Sequence, residues 1–409
     1  MRRRVVITGT GVISALGNDA AQVHAALCDN RRGFTEEPFE NRKEFPPART
    51  ARIKDFSAAK WLGNVNTRPL ERTGQLSICG ALLALESSGW TKERCTQREM
   101  ELMLATMFGS VETIARYDRE ARLFGPKHAK PLDFANTVIN APAGQTAIWH
   151  GLTGSNITVC AGKTGSLYAL RDAARRIRNG WFETVLAGAV EGVSFEIHSA
   201  FAQAGLLQPD AVVAAPTPFA FDRRGFLLGE GSAFVVLEEL GAAETRGAKA
   251  LAELSGVASS YDPGGGCDRR SAIDGCVRAI TGALSDAGVA GDEVELICTS
   301  ASGSALGDAI EMMALAEVFG ETLPDIPLFA PAAALGEMLG ASGMMQTILL
   351  IECARAKTVP GIAGIERYDP RLPRAGVAMA ARPGKFRRGL GISQGLTGSS
   401  AAVVVTIID

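Results

Sequence analysis

Histidine is scarce in this chain: among 409 residues only His24, His128, His150 and His198 carry an imidazole, and none lies beyond position 198. Any mechanism that draws an imidazole from the C-terminal half is thereby excluded. An excess of either charge is missing as well. Lys and Arg number 42 against 44 Asp and Glu, a net charge of −2. The basic field of a nucleic-acid binder is therefore absent, and no nucleic-acid partner is expected. No apolar run reaches the ~18 residues that a membrane span needs. The opening MRRRVVITGTG enters a strand without the apolar core of a secretory leader. No membrane association is expected, and the expected compartment is cytoplasmic. The eight cysteines, at 28, 79, 95, 160, 267, 276, 298 and 353, include no CxxC pair and sit mostly in apolar stretches. That pattern fits reduced thiols in the core, and neither a metal nor a cofactor is expected.

What is present is a hydrophobic content of 46%, enough for a large core, and one stretch around which the rest can be arranged. In SNITVCAGKTGSLYALRDAARRIRNG, Ile157 to Cys160 is a short apolar run. Leu167, Leu170, Ala174 and Ile177 then recur at helical spacing. Strand, tight turn and helix follow, and the residue before the helix stands at its positive end, where a cysteine would become a good nucleophile. Lys163 occupies that place.

In chain order, VVITGTGVIS within Arg4 to Leu16 reads as a strand, followed by a helix over Ala20–Cys28. GTG after a strand invites a dinucleotide reading, but the third glycine of GxGxxG falls on Ser14, so a structural turn is preferred. Asn30 to Ala58 is a polar surface excursion, Glu71–Ser88 a helix and Leu102–Phe108 a strand. Residues 109 to 135 are mixed and charged, and Phe134–His150 is helix-like. Thr184–Val190 is a strand, Phe195–Ala204 a helix, and a loop from Pro216 feeds another strand. A second series follows: strand Leu251–Ser259, helix Arg270–Ala287, strand Val294–Thr299, helices Asp308–Phe319 and Gly336–Ala356, and strand Ala401–Ile408. Two successive alternations predict two similar α/β halves, 1–250 and 251–409, built on parallel strands buried on both faces.

AGKTGS at 161–166 looks like the end of a Walker A loop, but the position of its first glycine is Ile157 inside the strand, so no phosphate cradle forms there. Cys160, in an apolar strand, reads as an inert core thiol. Lys163 is open to two readings, a Schiff-base lysine of lowered pKa or a lysine paired with a nearby acid.

RRVVITGTGVISALGN, the DAARRIRNG helix, LAGAVEG, PFAFDRRGFLLGEGSAFVVLEE, GDAIEMMALAEVFG and LGEMLGASG together resemble the β-ketoacyl-acyl-carrier-protein synthases of thiolase fold, over essentially the whole chain. The resemblance implies a five-layered αβαβα subunit of two duplicated halves, dimeric, acting on acyl chains carried by an acyl carrier protein. It also implies where catalytic groups should stand. The family's cysteine, twelve residues before the arginine of its AAR element, corresponds to Lys163. Its first histidine, eight residues before the aspartate of GD, corresponds to Ser300. Its second corresponds to Glu337, and the lysine five residues earlier to Ala332. The family's glycine-rich C-terminal loop is reduced to Gln394–Ser399.

Condensation needs a thiolate to hold the acyl chain and neutral donors to stabilise the enolate left by decarboxylation. None of those groups is here. A ketosynthase body with its reactive residues replaced is similar to the chain length factor subunits of type II polyketide and polyene synthases. That likeness implies a cysteine-bearing ketosynthase paralogue as heterodimer partner, and a length gate at Phe108, Thr113 and Tyr117. It also places Asn156–Cys160 and Phe134–His150 at the subunit interface. Two other readings stay open: a ketosynthase-like enzyme with altered chemistry at Lys163 or Cys160, and a homodimeric acyl-chain binding protein. Because the nucleophile and second histidine of the family converge on one pocket, Lys163 and Glu337 are expected to form a buried ion pair.

Overall fold

Apolar and β-branched residues at Val5, Val6, Ile7, Val12 and Ile13 draw the N-terminus into a buried strand, β1 (Val5–Ser14). The computed structural model describes residues 2–408 apart from 40, 41, 43, 64, 65, 68, 210–214 and 265–267. Gly9 and Gly11 lie within β1, beside a register irregularity, and not in a turn. Their role is close packing: a Cβ on Gly11 would stand 2.2 Å from the carbonyl oxygen of Gly80 in the helix α1 (Arg72–Ser87). The GTG element is thus consumed by a strand–helix contact.

The first half continues with β2 (Glu101–Ala105), α2 (Val111–Phe124), α3 (Ala141–His150), β3 (Asn156–Val159), α4 (Gly165–Arg178), β4 (Thr184–Glu191), α5 (Phe195–Gln203) and β5 (Gly231–Glu239). The second contains β6 (Ala252–Tyr261), α6 (Arg269–Ala287), β7 (Leu296–Cys298), α7 (Ala305–Phe319), β8 (Pro327–Phe329), α8 (Ser342–Ala356), β9 (Arg388–Gln394) and β10 (Ser399–Ile407). Neighbouring strands run β1-β5-β4-β2-β3 and β6-β10-β9-β7-β8. Numbered by chain order within each series, both read 1-5-4-2-3, the signature of one motif used twice. The two series join along β1 and β6 into one continuous sheet, where Val6 faces Glu253 and Ile7 faces Ala252.

Helices α1 and α3 cover the outer face of the first series, and α6 with α7 packed on it covers the second. Between the two series, α4 and α8 touch strands of both, which makes five layers. The middle layer is the apolar centre. Leu167, Leu170, Ala173, Ala174 and Ile177 of α4 are wholly buried, and each large aliphatic so buried stabilises by about 1.5–3 kcal/mol relative to exposure. No described helix is long and apolar enough to cross a membrane.

The expectation of parallel strands throughout is corrected. β2–β3, β2–β4, β7–β8 and β7–β9 are parallel, but the pairs β1–β5, β4–β5, β9–β10 and β6–β10 are antiparallel. Only four residues separate β9 from β10, and so short a turn can join only antiparallel neighbours. Two helix boundaries also move. The segment 109–135 holds a helix, α2, whereas Phe134–His150 becomes helical only at Ala141. The segment from Gly336 becomes a continuous helix only at Ser342. Gly336 and Leu339 both have positive φ, +71° and +48°, which no continuing helix tolerates.

Candidate functional site

Between the end of β3 and the start of α4 the chain makes a single 3₁₀ turn, Gly162–Thr164, so the expected strand–turn–helix is in place. Lys163 sits in that turn and is buried. Its Nζ lies 2.6 Å from Oε2 of Glu337, the pair anticipated from the sequence. Oε1 of the same carboxylate accepts from the Leu339 amide at 3.0 Å and from the Ser342 hydroxyl at 2.8 Å. Its backbone is pinned too, with the Glu337 amide donating to Leu227 O and its carbonyl accepting from the Gly229 amide. The Lys163 side chain is thus engaged in an ion pair with a carboxylate that is itself fixed by two further hydrogen bonds.

Ser300 follows β7 and is occupied as fully. Its amide and hydroxyl donate to Oε1 of Glu311, at 2.8 and 3.2 Å, while its oxygen accepts from the Gln394 amide at 3.1 Å. Ala332 opens the short helix Ala332–Leu335 and lines a small void with Glu337 and Gln346. Lys163, Ser300 and Glu311 also wall a cavity of about 170 Å³ whose apolar side is Phe226, Leu306 and Leu396. The positions that should converge do converge, and what they form is a neutralised pocket.

Cys160 is a correction. It is exposed, not a core thiol, because β3 is the edge strand of its sheet and the residue after it leaves the layer. Of the other cysteines, 79, 95, 276, 298 and 353 are buried and Cys28 is half-buried; Cys267 lies outside the described residues. Among the gate candidates, Phe108 packs edge-on against Phe201 with centroids 5.9 Å apart. Thr113 is buried on α2 with its hydroxyl unbonded, and Tyr117, one turn on, packs against Phe134.

Two buried carboxylates escaped the sequence reading. Glu191, at the end of β4, accepts from the Met107 amide at 2.7 Å, the Phe108 amide at 3.0 Å, Thr106 Oγ1 at 3.1 Å and the Gly340 amide at 3.2 Å. Burial nevertheless pushes its pKa up to about 7. Glu311 goes further, to about 8: burial raises it and Asp308 adds to that, against the lowering effects of the Ser300 amide and Lys163. With Glu337 already on Lys163, the second carboxylate keeps its proton.

That proton has a thermodynamic consequence. An unfolded Glu311 would ionise near its ordinary value of 4.5, the native one near 8. The stability it contributes is complete below the lower value and lost as pH climbs through the upper one. Glu71 and Glu191, both raised to about 7, act in the same direction. The melting temperature should therefore fall between about pH 4.5 and about pH 8, and Glu311→Gln should flatten the upper part of that fall. Parallel melting profiles for the two proteins, measured by calorimetry, would show that Glu311 does not titrate there.

The β-ketoacyl synthase N-terminal domain family matches residues 2–243, and its C-terminal domain family matches 251–366. A 3-oxoacyl-(acyl-carrier-protein) synthase 2 of Coxiella burnetii is 28% identical, covering 99% of each chain. The protein of the same description from Rhizobium meliloti is 30% identical over 98% of each. Among solved structures, one described as the ishigamide ketosynthase/chain length factor superposes with a TM-score of 0.92 at 26% identity, covering 100% of both chains. The thiolase-like layering, the repeated strand order and these matches agree: the chain belongs to the β-ketoacyl synthase family.

Proposed function

We propose that this chain is the non-condensing member of a ketosynthase pair, a chain-length-factor type of subunit in type II polyketide, polyene or fatty acid biosynthesis. The observation that carries the reading is the Lys163–Glu337 pair, 2.6 Å across and sealed from solvent where the family keeps its nucleophile and second histidine. The similarity to a structure described as a ketosynthase/chain length factor supports it. The relatives' printed names support an acyl carrier protein as the bearer of the substrate.

The partner in this reading is a cysteine-bearing ketosynthase paralogue. Support comes from the face that carries β3: on the segment before α3 and on α3 itself, Leu132, Phe134, Val138, Ile139 and Ile148 are exposed, Ile148 at 81%. β3 also leaves its outer edge without a neighbouring strand among the described residues. Exposed apolar side chains beside an unpaired strand edge favour a second chain covering both. The two halves of this subunit divide near residue 250, and Phe108, Thr113 and Tyr117 line the length gate. Co-expression with such a paralogue, followed by light scattering, should give a heterodimer. Recovery of two separate homodimers would remove the partner from the proposal.

A further inference from the structure

Behind Thr113 lies a cavity of about 290 Å³ whose walls include five arginines: Arg42, Arg52, Arg72, Arg116 and Arg119. Three of them lie over phenylalanine rings, Arg42 over Phe195 at 5.0 Å, Arg72 over Phe56 at 5.4 Å and Arg52 over Phe39 at 5.9 Å. Stacking fixes the guanidinium planes while leaving their N–H edges able to bond.

Five acids stand against the five arginines, but not every guanidinium has one in close contact. Arg42 is answered by Glu196 and Arg116 by Asp133, each at 3.1 Å, and Arg72 by Glu230. Arg52 is left 4.0 Å from that same Glu230, with its Nε unbonded, and no ion pair joins Arg119 to an acid among the described residues. Against these two stand Glu112 and Glu71, and burial raises Glu71 to about 7, so near neutrality it is only partly ionised. Three helix N-termini add to the positive side: α1 at Glu71–Arg72, α2 at Glu112–Thr113 and α5 at Ser194–Glu196 all reach the wall. Each contributes roughly half a positive charge.

We infer that this cavity binds a carboxylate, and that the acyl chains it receives past Thr113 are those whose far end carries one. The inference rests on the gate reading above but can be tested apart from it. Asp133 and Asn136 of the wall lie in the segment that presents Leu132, Phe134 and Val138 to solvent, so the cavity adjoins the face where a partner's acyl chain would cross. A plain alkyl terminus would gain nothing from the guanidinium groups and would leave Arg119 without a contacting anion among the described residues.

The test uses hexanoate and hexan-1-ol, equal in length and differing in charge, titrated by calorimetry into the purified chain. Hexanoate should bind at least about tenfold more tightly than the alcohol, the factor expected for one charge-assisted contact. Arg119→Met and Arg52→Met should each remove most of that preference, while Glu86→Gln on the exposed side of α1 should not. Equal binding of the two probes, no binding of hexanoate, or a preference untouched by both arginine substitutions would overturn the inference. Thr113→Trp, assayed with a ketosynthase partner, reads the gate separately. It should shorten the product, and an unchanged product would dispose of the gate while leaving a carboxylate preference in the isolated chain intact.

Discussion

Replacing Lys163 by methionine, or Glu337 by leucine, should each lower the stability of the fold by about 3–5 kcal/mol, because each change strands one buried charge without its counter-ion. The double replacement should cost less than either single one. Both side chains are withdrawn from water, with 7% and 1% of their surfaces exposed, so solvent screens the pair only weakly. The carboxylate keeps the Leu339 amide and Ser342 hydroxyl when the lysine is removed, so Lys163→Met should be the milder of the two. A double-mutant cycle in denaturant measures the coupling. Additive effects, or single losses under about 1 kcal/mol, would mean that the pair contributes no more than a surface contact.

The second large effect concerns catalysis. Given a malonyl carrier protein and an acyl primer, the purified chain should make no condensed product, and adding a cysteine-bearing ketosynthase should restore elongation. Even Lys163→Cys should leave the lone subunit inert. A thiolate would hold the acyl group, but Glu337 would still stand where a neutral donor must meet the enolate, and Ser300 is committed to Glu311 and Gln394. An anion facing a developing anion raises the barrier in place of lowering it. Elongation by this subunit without a partner would defeat the reading of the pocket as neutralised.

Much of this geometry was legible in the sequence, and the parts that were not have identifiable causes. Lys163 and Glu337 are 174 positions apart (337 − 163), too far for any local pattern to join; the motif register joined them. β9 went unseen because Gly389 and Gly391 break up its apolar pattern. Those glycines are there to admit α8, since a Cβ on Gly389 would stand 2.9 Å from a Leu350 methyl. Cys160 was misplaced because a short apolar run marks a strand without saying whether it is central or at the edge. The mixed direction of the strands was hidden for a similar reason, alternation revealing the elements but not their sense. Glu191 and Glu311 stand inside the motifs LAGAVEG and GDAIEMMALAEVFG, but nothing local marked them as buried, because their partners come from both halves; the arginine-lined cavity gathers residues scattered between Phe39 and Glu196 and had no local signal.

Glu191 ties those loops together in a way that bears on how such a centre can change over generations. One carboxylate holds the amides of Met107 and Phe108, which lead into α2, and the amide of Gly340, three residues beyond Glu337. The pocket of Lys163 and Glu337 is therefore braced against the segment proposed to measure the chain. A substitution at Glu337 that shifts Gly340 would be transmitted to Phe108. An inert pocket would otherwise be free to drift, accumulating whatever residues mutation supplied. Here drift is limited to changes that keep the brace, so the pocket would inherit the positional constraints of an active site even without a reaction of its own.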